Sequence, residues 1–284
     1  MPTRKTIRPV TLRRVIEACI FASRSEAIDA SNVSKEIGVS ESRAEEIILE
    51  LERMRLVSHL GSTYVRNART AEFLEYFRND QWRKIHEYFL KNYQFYGDFF
   101  SILKSHAADL KGLTADEIMD EGKTRQLSLN QTAVDVLSDW SDRLGAIQRH
   151  LYTRRIYPVE DKVETEIFRN ALVKLYQELS KTQGRKGIFV EIPIMREDLC
   201  ERLKIARKTF DETLHNTYLE NVGRMELSGA PIITRAKKSP LSEKKIKRDG
   251  KIAVLAPKNE LQREREGLLV GRKIYYYMAV YEGI

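Results

Sequence analysis

The residues with the clearest binding chemistry form a basic run in the last quarter of the chain. Between residues 235 and 251, eight lysine and arginine side chains stand against two acidic ones. These are Arg235, Lys237, Lys238, Lys244, Lys245, Lys247, Arg248 and Lys251. Dense positive charge attracts phosphate groups, because each neutralised phosphate releases condensed counterions from a nucleic acid. The pattern indicates a phosphate-binding segment, with a solvated loop as the alternative.

A second group of candidates lies on a predicted helix just before the basic run. Apolar residues at helical spacing define this helix, namely Phe210, Leu214, Tyr218 and Val222. Its polar candidates are Arg207, Lys208, His215 and Asn216. Arginine and lysine pair with guanine or phosphate, and asparagine pairs with adenine. We predict that these four side chains contact duplex DNA, although Asp211 and Glu212 offset part of the charge.

A third basic group lies near the N-terminus, where Arg4, Lys5 and Arg8 precede the first apolar pattern. Residues 1–11 are predicted to form a loose tail that adds phosphate contacts. No apolar run of signal-peptide length follows this group, and no stretch approaches the length of a membrane span. We therefore expect a soluble, cytoplasmic protein without membrane contact.

The elements that must position these side chains are best defined in the stretch from Ser34 to Val65. A short helix ends at Gly38, and a second helix follows it with an apolar face at helical spacing. The residues of that face are Ala44, Ile47, Ile48, Leu51 and Met54. An alternating segment then turns at Gly61-Ser62 and returns to Val65, which predicts a β-hairpin. This order of helix, tight turn, helix and hairpin resembles the winged helix-turn-helix superfamily.

The resemblance extends, by order of elements alone, to two further parts of the chain. It implies a mainly α fold with small β-hairpins (α+β), built from two to three tandem winged helix-turn-helix units joined by helices. We expect an N-terminal winged helix with a basic tail at residues 1–69. A helical middle domain at 70–158 has the order of a second winged helix, and 159–284 form a C-terminal winged helix with an enlarged basic wing. Such proteins place their third helix in the major groove and their wing near the backbone or minor groove.

Charge distinguishes the three predicted third helices. The first carries five glutamates, namely Glu41, Glu45, Glu46, Glu50 and Glu52. The second carries three aspartates, namely Asp135, Asp139 and Asp142. Acidic faces repel phosphate, so a solvated surface or a protein contact is the favoured interpretation for both. Only the third unit combines a basic start of its third helix with the basic run. Four further cations add to its charge and two glutamates offset them, namely Arg263, Arg265, Arg272 and Lys273 against Glu264 and Glu266.

No catalytic or metal-binding pattern emerges from the remaining residues. The five histidines are scattered, and none is spaced at i and i+4 from another. Cys19 and Cys200 are far apart on predicted apolar helix faces, which argues against a disulfide framework or a zinc site. The run from Gly184 to Gly187 lacks the spacing and the hydroxyl residue of a phosphate-binding loop. We predict a non-catalytic protein without cofactor or metal.

The sequence favours a protein that binds double-stranded DNA, in transcription control or as an accessory in replication or genome defence. The alternative is a scaffold or adaptor subunit that binds proteins through the acidic third helix of its N-terminal unit. A nuclease with dispersed carboxylates is the least favoured hypothesis. The aromatic-rich segment from Trp82 to Phe100 is interpreted as either a homodimer surface or part of a core.

Overall fold

A computed structural model describes residues 7–182, 189–229, 246–248, 251–253 and 267–281 of the 284-residue chain. The described residues are mainly helical with small antiparallel sheets, which confirms the predicted fold class at that level. They form two compact units. The N-terminal unit extends to Asp161 and includes Lys204–Ala206, and the C-terminal unit comprises Lys162–Leu203 and the described residues from Arg207 onward.

The N-terminal unit contains most of the helices. Its first half comprises α1 (Leu12–Arg24), α2 (Ala30–Ile37), α3 (Glu41–Arg53), β1 (Val57–Leu60) and β2 (Thr63–Arg66). Two further helices follow, α4 (Ala68–Arg78) and α5 (Trp82–Asn92). Its second half comprises α6 (Gln94–Ser105), α7 (Ala115–Thr124), α8 (Gln131–Arg143), β3 (Ile147–Arg149) and β4 (Ile156–Pro158). One continuous hydrophobic core spans both halves, so residue 69, where we predicted a domain boundary, does not separate two compact units.

The helices of this unit begin where the sequence supplies capping side chains. Ser40 accepts a hydrogen bond from the Arg43 amide, and Asn130 accepts one from the Ala133 amide. Thr114 and Glu117 form a capping box. These contacts satisfy amide groups that have no partner inside the helix.

Two parts of this unit share a backbone plan, which we call the first module (Leu12–Arg66) and the second module (Gln94–Pro158). A single antiparallel bridge precedes the second helix of each, Ile28↔Tyr64 in one and Leu113↔Ile156 in the other. A residue with positive φ follows each second helix and each third helix. In order these are Gly38 (67°), Arg55 (60°), Gln126 (58°) and Gly145 (67°). Because α7 extends to Thr124, the connection that looked too long for a turn in the sequence is short.

The aromatic-rich segment is two helices rather than one, because extended backbone at Tyr93 interrupts the helical pattern. Its large side chains are buried in the core. The Phe89 ring lies 5.5 Å from that of Trp140, and the Trp140 indole N–H donates to the Val10 carbonyl at 3.1 Å. The segment therefore forms a core, and Val10 is packed, as is Ile7. The prediction of a loose tail is wrong for residues 7–11.

The C-terminal unit repeats the plan with a larger sheet. Its elements are α9 (Thr165–Thr182), β5 (Val190–Glu191), α10 (Ile192–Leu203), α11 (Arg207–Glu220), β6 (Met225–Gly229), β7 (Ile246–Arg248), β8 (Lys251–Ala253), β9 (Leu268–Val270) and β10 (Lys273–Val280). We call residues 165–280 the third module; by position in the chain it includes Lys204–Ala206, which belong to the N-terminal unit. β10 pairs antiparallel with β5, β6 and β9, and β7 pairs with β8. Lys204 and Gly223 have positive φ after the second and third helices, as in the other modules.

One predicted boundary in this unit moves. The sequence suggested a strand that ends at Pro193 and a helix from Arg196, but α10 already begins at Ile192. Proline is tolerated in the first turn of a helix because the amide it lacks would have no partner there. Pro193 therefore lies inside the helix start and does not terminate the strand.

Candidate nucleic-acid interface

The exposed face of α11 presents Lys208, Glu212 and Asn216, which lie one above the other at i+4 spacing. Lys208 is the most prominent, with 86% of its side chain exposed. Its ammonium nitrogen lies 3.7 Å from Oε1 of Glu212. An exposed pair of this kind contributes only a few tenths of a kcal/mol, about 0.3–0.5 kcal/mol, so it does not prevent Lys208 from contacting another anion. His215 is half-buried beside this face.

Arg207 does not belong to that face. Its Nε donates to Oε1 of Glu197 at 2.5 Å, and its Nη2 donates to Oε2 at 2.7 Å. Glu197, on α10, is completely buried. A buried carboxylate needs such a partner, because a buried charge that loses its counter-charge has no water to stabilise it. Arg207 therefore joins α11 to α10, and we withdraw it from the predicted contact set.

A second ion pair joins the same two helices. Nε of Arg196, which is buried on α10, donates to Oδ1 of Asp211 at 2.7 Å. Burial raises the pKa of the Asp211 carboxyl, and the adjacent Arg196 opposes that rise. In the sequence alone, Asp211 offsets the basic character of α11. Since its charge is compensated from α10, the exposed face is left with Lys208, two glutamates and neutral polar groups. The second glutamate, Glu220 at the end of α11, accepts from Nη2 of Arg169 on α9 at 3.2 Å.

The basic run itself lies largely outside the described residues. Seven of the predicted basic contacts lie outside the described residues, five of them in the basic run and two near the N-terminus. These are Arg235, Lys237, Lys238, Lys244, Lys245, Arg4 and Lys5. Lys247, Arg248 and Lys251 lie on the β7–β8 hairpin, where Arg248 is opposite Lys251. For all of these residues, DNA contact stays a prediction from the sequence.

The hairpin of β9 and β10 adds described basic residues to the third module. Gly271 makes its turn with a φ of 62°, and Arg272 and Lys273 follow in exposed positions. Neither of these two cations forms an ion pair with another residue in the described part of the chain. At the other end of β9, a Cβ on Gly267 would lie 1.9 Å from the Tyr275 carbonyl oxygen. Only glycine allows the two strands to approach this closely.

Arg8, the last of the predicted contacts, is part of the N-terminal unit's packing. Its amide donates to Oε1 of Glu50 at 3.0 Å, and its guanidinium donates to the Glu46 carbonyl at 3.5 Å. Glu50 also accepts from Arg53 Nη1 at 2.7 Å and from the Tyr93 hydroxyl at 2.8 Å. Burial and the Glu50 carboxylate raise the pKa of Tyr93. Glu50 is therefore a buried anchor, and counting it on the exposed face of α3 was wrong.

The exposed faces of the other two third helices nevertheless remain acidic. Glu41 and Glu45 are exposed on α3, and Asp135 and Asp142 are exposed on α8. In the hairpin of the second module, Arg155 donates to Oε2 of Glu117 at 2.9 Å. That pairing compensates the charge of one basic residue of this hairpin. The first and second modules therefore present negative charge where the third presents Lys208.

The described residues contain no group of three or more histidine, cysteine, aspartate or glutamate side chains arranged to hold a metal ion. Both cysteines are buried, and burial raises the pKa of each thiol. No helix among the described residues has both the length and the apolar character needed to cross a membrane.

Comparison with known proteins gives no family assignment. No protein-family model matches the sequence, and no curated protein is significantly similar to it.

Proposed function

We propose that this chain is a DNA-binding protein with three winged helix-turn-helix units, acting in transcription control or as an accessory in replication or genome defence. The three modules correspond to the three units. The shared order of helix, bridging strand, helix, helix and hairpin supports this assignment. So do the positive-φ residues at equivalent places. Each module has one of them on a non-glycine residue, namely Arg55, Gln126 and Lys204, where the conformation is uncommon.

The observation that carries the proposal is the charge of the third module. It alone combines an exposed lysine and an exposed amide on its third helix, Lys208 and Asn216, with hairpins that carry basic residues. A winged helix that reads DNA needs both parts, one for the major groove and one for the phosphate backbone. The contact set is then Lys208, His215 and Asn216, together with the basic run and the pair Arg272 and Lys273. Arg4 and Lys5 of the N-terminal tail remain in the set as predictions from the sequence.

The test is a salt series of binding to duplex DNA, measured by fluorescence anisotropy with the full chain. A variant with Lys244, Lys245, Lys247 and Arg248 changed to glutamine is compared with the wild type. Each lost phosphate contact reduces the slope of log K against log salt by about 0.9, so the variant should lose up to about 3.6. Wild-type protein that does not bind duplex DNA at low salt would refute the proposal.

A matched control separates local contact from overall charge. Four exposed lysines of the N-terminal unit are changed to glutamine, namely Lys35, Lys91, Lys104 and Lys111. The change in net charge is the same, but these residues lie in the unit with the acidic third helices. We expect a slope close to that of the wild type. Equal loss of slope in both variants would show that the third module is not the main contact.

The acidic faces of α3 and α8 favour a second candidate function, an adaptor that binds a basic protein surface. Glu41 and Glu45 are the exposed carboxylates that would carry it on the first module. A lysine-rich peptide of about ten residues is a suitable probe, because electrostatic complementarity gives salt-sensitive association. Binding that is lost in the variant Glu41→Gln/Glu45→Gln, together with no binding to DNA, would support the adaptor in place of the DNA-binding protein.

A further inference from the structure

The β9–β10 hairpin carries an exposed apolar pair near its turn. Leu269 and Ile274 are directly opposite each other in the strand register. Leu269 is 65% exposed and Ile274 is 37% exposed. Isolated apolar residues are common on protein surfaces, but here two of them lie side by side, next to two cations, at the end of a hairpin.

The pair is not needed to fold the hairpin. Leu268, the neighbour of Leu269, is buried and packs the strand onto the unit. Lys273 and Ile274 pair only with β9, whereas the later residues of β10 pair with β5 and β6 as well. The turn end of the hairpin therefore extends past the wider part of the sheet. Side chains at that end lie in solvent instead of in the core.

We propose that this hairpin is a wedge that inserts Leu269 and Ile274 into the minor groove of duplex DNA and bends it. The inference rests on the proposed function and adds the way in which the third module contacts DNA. Apolar side chains inserted between base pairs unstack them partially and kink the duplex, typically by about 20–90°. Arg272 and Lys273, next to the pair in the turn, would neutralise phosphates on either side of the groove.

Charge and size favour DNA over other occupants. Arg272 and Lys273 have no carboxylate partner among the described residues, so the apolar pair lies beside two cations that no described carboxylate neutralises. A stable protein interface buries at least about 1,000 Å² in total, which is far more than two side chains supply. In duplex DNA, phosphate groups lie on both sides of the groove into which Leu269 and Ile274 would insert. Those phosphates complement the two cations beside the apolar pair. An anionic lipid surface is the competing occupant, and it is included as an outcome of the test.

The first module supplies a matched control. Leu60 is 62% exposed near the turn of the β1–β2 hairpin, where it is opposite Thr63. Its turn is Gly61-Ser62, which has no basic residue. The exposed carboxylates of α3 belong to the same module. Leu60 therefore has an exposure similar to that of Leu269 but no cations beside it. Its substitution should change neither the binding nor the bending of DNA.

The experiment uses the full chain and a duplex of about 30 base pairs with flexible TA steps and a fluorophore at each end. Anisotropy reports binding, and energy transfer between the ends reports bending. Wild-type protein should increase the energy transfer. The variant Leu269→Ser/Ile274→Ser should lose that increase and bind roughly tenfold more weakly, about 1.4 kcal/mol, with an unchanged salt slope. Leu60→Ser should behave as the wild type.

The outcomes distinguish this inference from the proposed function. Wild-type protein that binds with a steep salt slope but leaves the duplex unbent would overturn the wedge and leave the DNA-binding function standing. Bending that persists in Leu269→Ser/Ile274→Ser would also overturn it. Wild-type protein that binds vesicles of phosphatidylserine through this pair, and does not bend DNA, would assign the hairpin to a lipid surface. Absence of any DNA binding would refute both proposals, and far-UV circular dichroism verifies that each variant is folded.

Discussion

The pairing of Arg207 with Glu197 predicts a stability effect where the sequence predicted a DNA contact. Glu197 is completely buried, and both of its carboxylate oxygens accept from Arg207. The change Glu197→Leu removes both of these hydrogen bonds from the largely buried Arg207 guanidinium. Breaking a buried ion pair in this way costs about 3–5 kcal/mol, because a buried charge that loses a counter-charge has little solvent to replace it. The double variant Glu197→Leu/Arg207→Met should recover most of that loss.

Urea denaturation can resolve this effect because the tryptophans report one unit only. Trp82 and Trp140 are the two tryptophans of the chain, and both belong to the N-terminal unit. Tryptophan emission follows that unit, while far-UV circular dichroism follows both. With an m-value of about 1.5 kcal/mol per molar urea, the expected loss shifts the midpoint of the C-terminal transition by about 2–3 M. The tryptophan transition is the internal reference.

The single variant Arg207→Met tests the same ion pair from the side of the cation. Arg207→Met should destabilise the C-terminal unit and leave the salt slope of DNA binding unchanged. If that variant costs less than about 1 kcal/mol and reduces the slope by about one, Arg207 neutralises a phosphate. In that case the assignment of Arg207 to the packing of α10 against α11 is wrong, and the original prediction for this residue is restored.

Two further predictions concern the N-terminal unit, and both use tryptophan emission in urea. Glu50→Gln should lower the free energy of unfolding by about 2–4 kcal/mol, because a buried anion that accepts from three donors is replaced. The control Glu45→Gln changes an exposed residue and should alter stability by less than about 0.5 kcal/mol. Equal effects of the two variants would contradict the buried role of Glu50. Burial of His86, with Lys104 and Arg83 nearby, lowers its pKa to about 4. Because the unfolded chain has the higher pKa of about 6.5, it binds more protons between these values, so stability should fall as pH drops from about 6.5 to 4. The free energy of unfolding should fall by at most about 3 kcal/mol over this range, and by less than that because the ring is partly exposed. His86→Gln should make stability less dependent on pH.

Local sequence determined the positions and ends of many elements. The side chains of Ser40, Thr114 and Asn130 cap the starts of α3, α7 and α8, and a cap of this kind is a local property because it acts within one turn of the chain. Gly38 and Gly145 have the left-handed backbone that ends a helix most easily at glycine. The distribution of charge along the chain is likewise a property of the sequence. It directs the DNA-binding hypothesis to the third module and away from the acidic helices.

Tertiary structure decided which of those charged side chains are exposed and available to bind a partner. Arg207 and Glu197 are ten residues apart, and Glu50 and Tyr93 are forty-three apart. Nothing in their local patterns indicates that they meet. A charged side chain in a sequence looks solvated by default, yet a buried one must find its partner on another element, so pairing depends on how helices are packed together. The sequence alone therefore determined the order of elements and the charge of each segment, and only the packing placed Arg207, Arg8 and Glu50 in contact with residues outside their own elements.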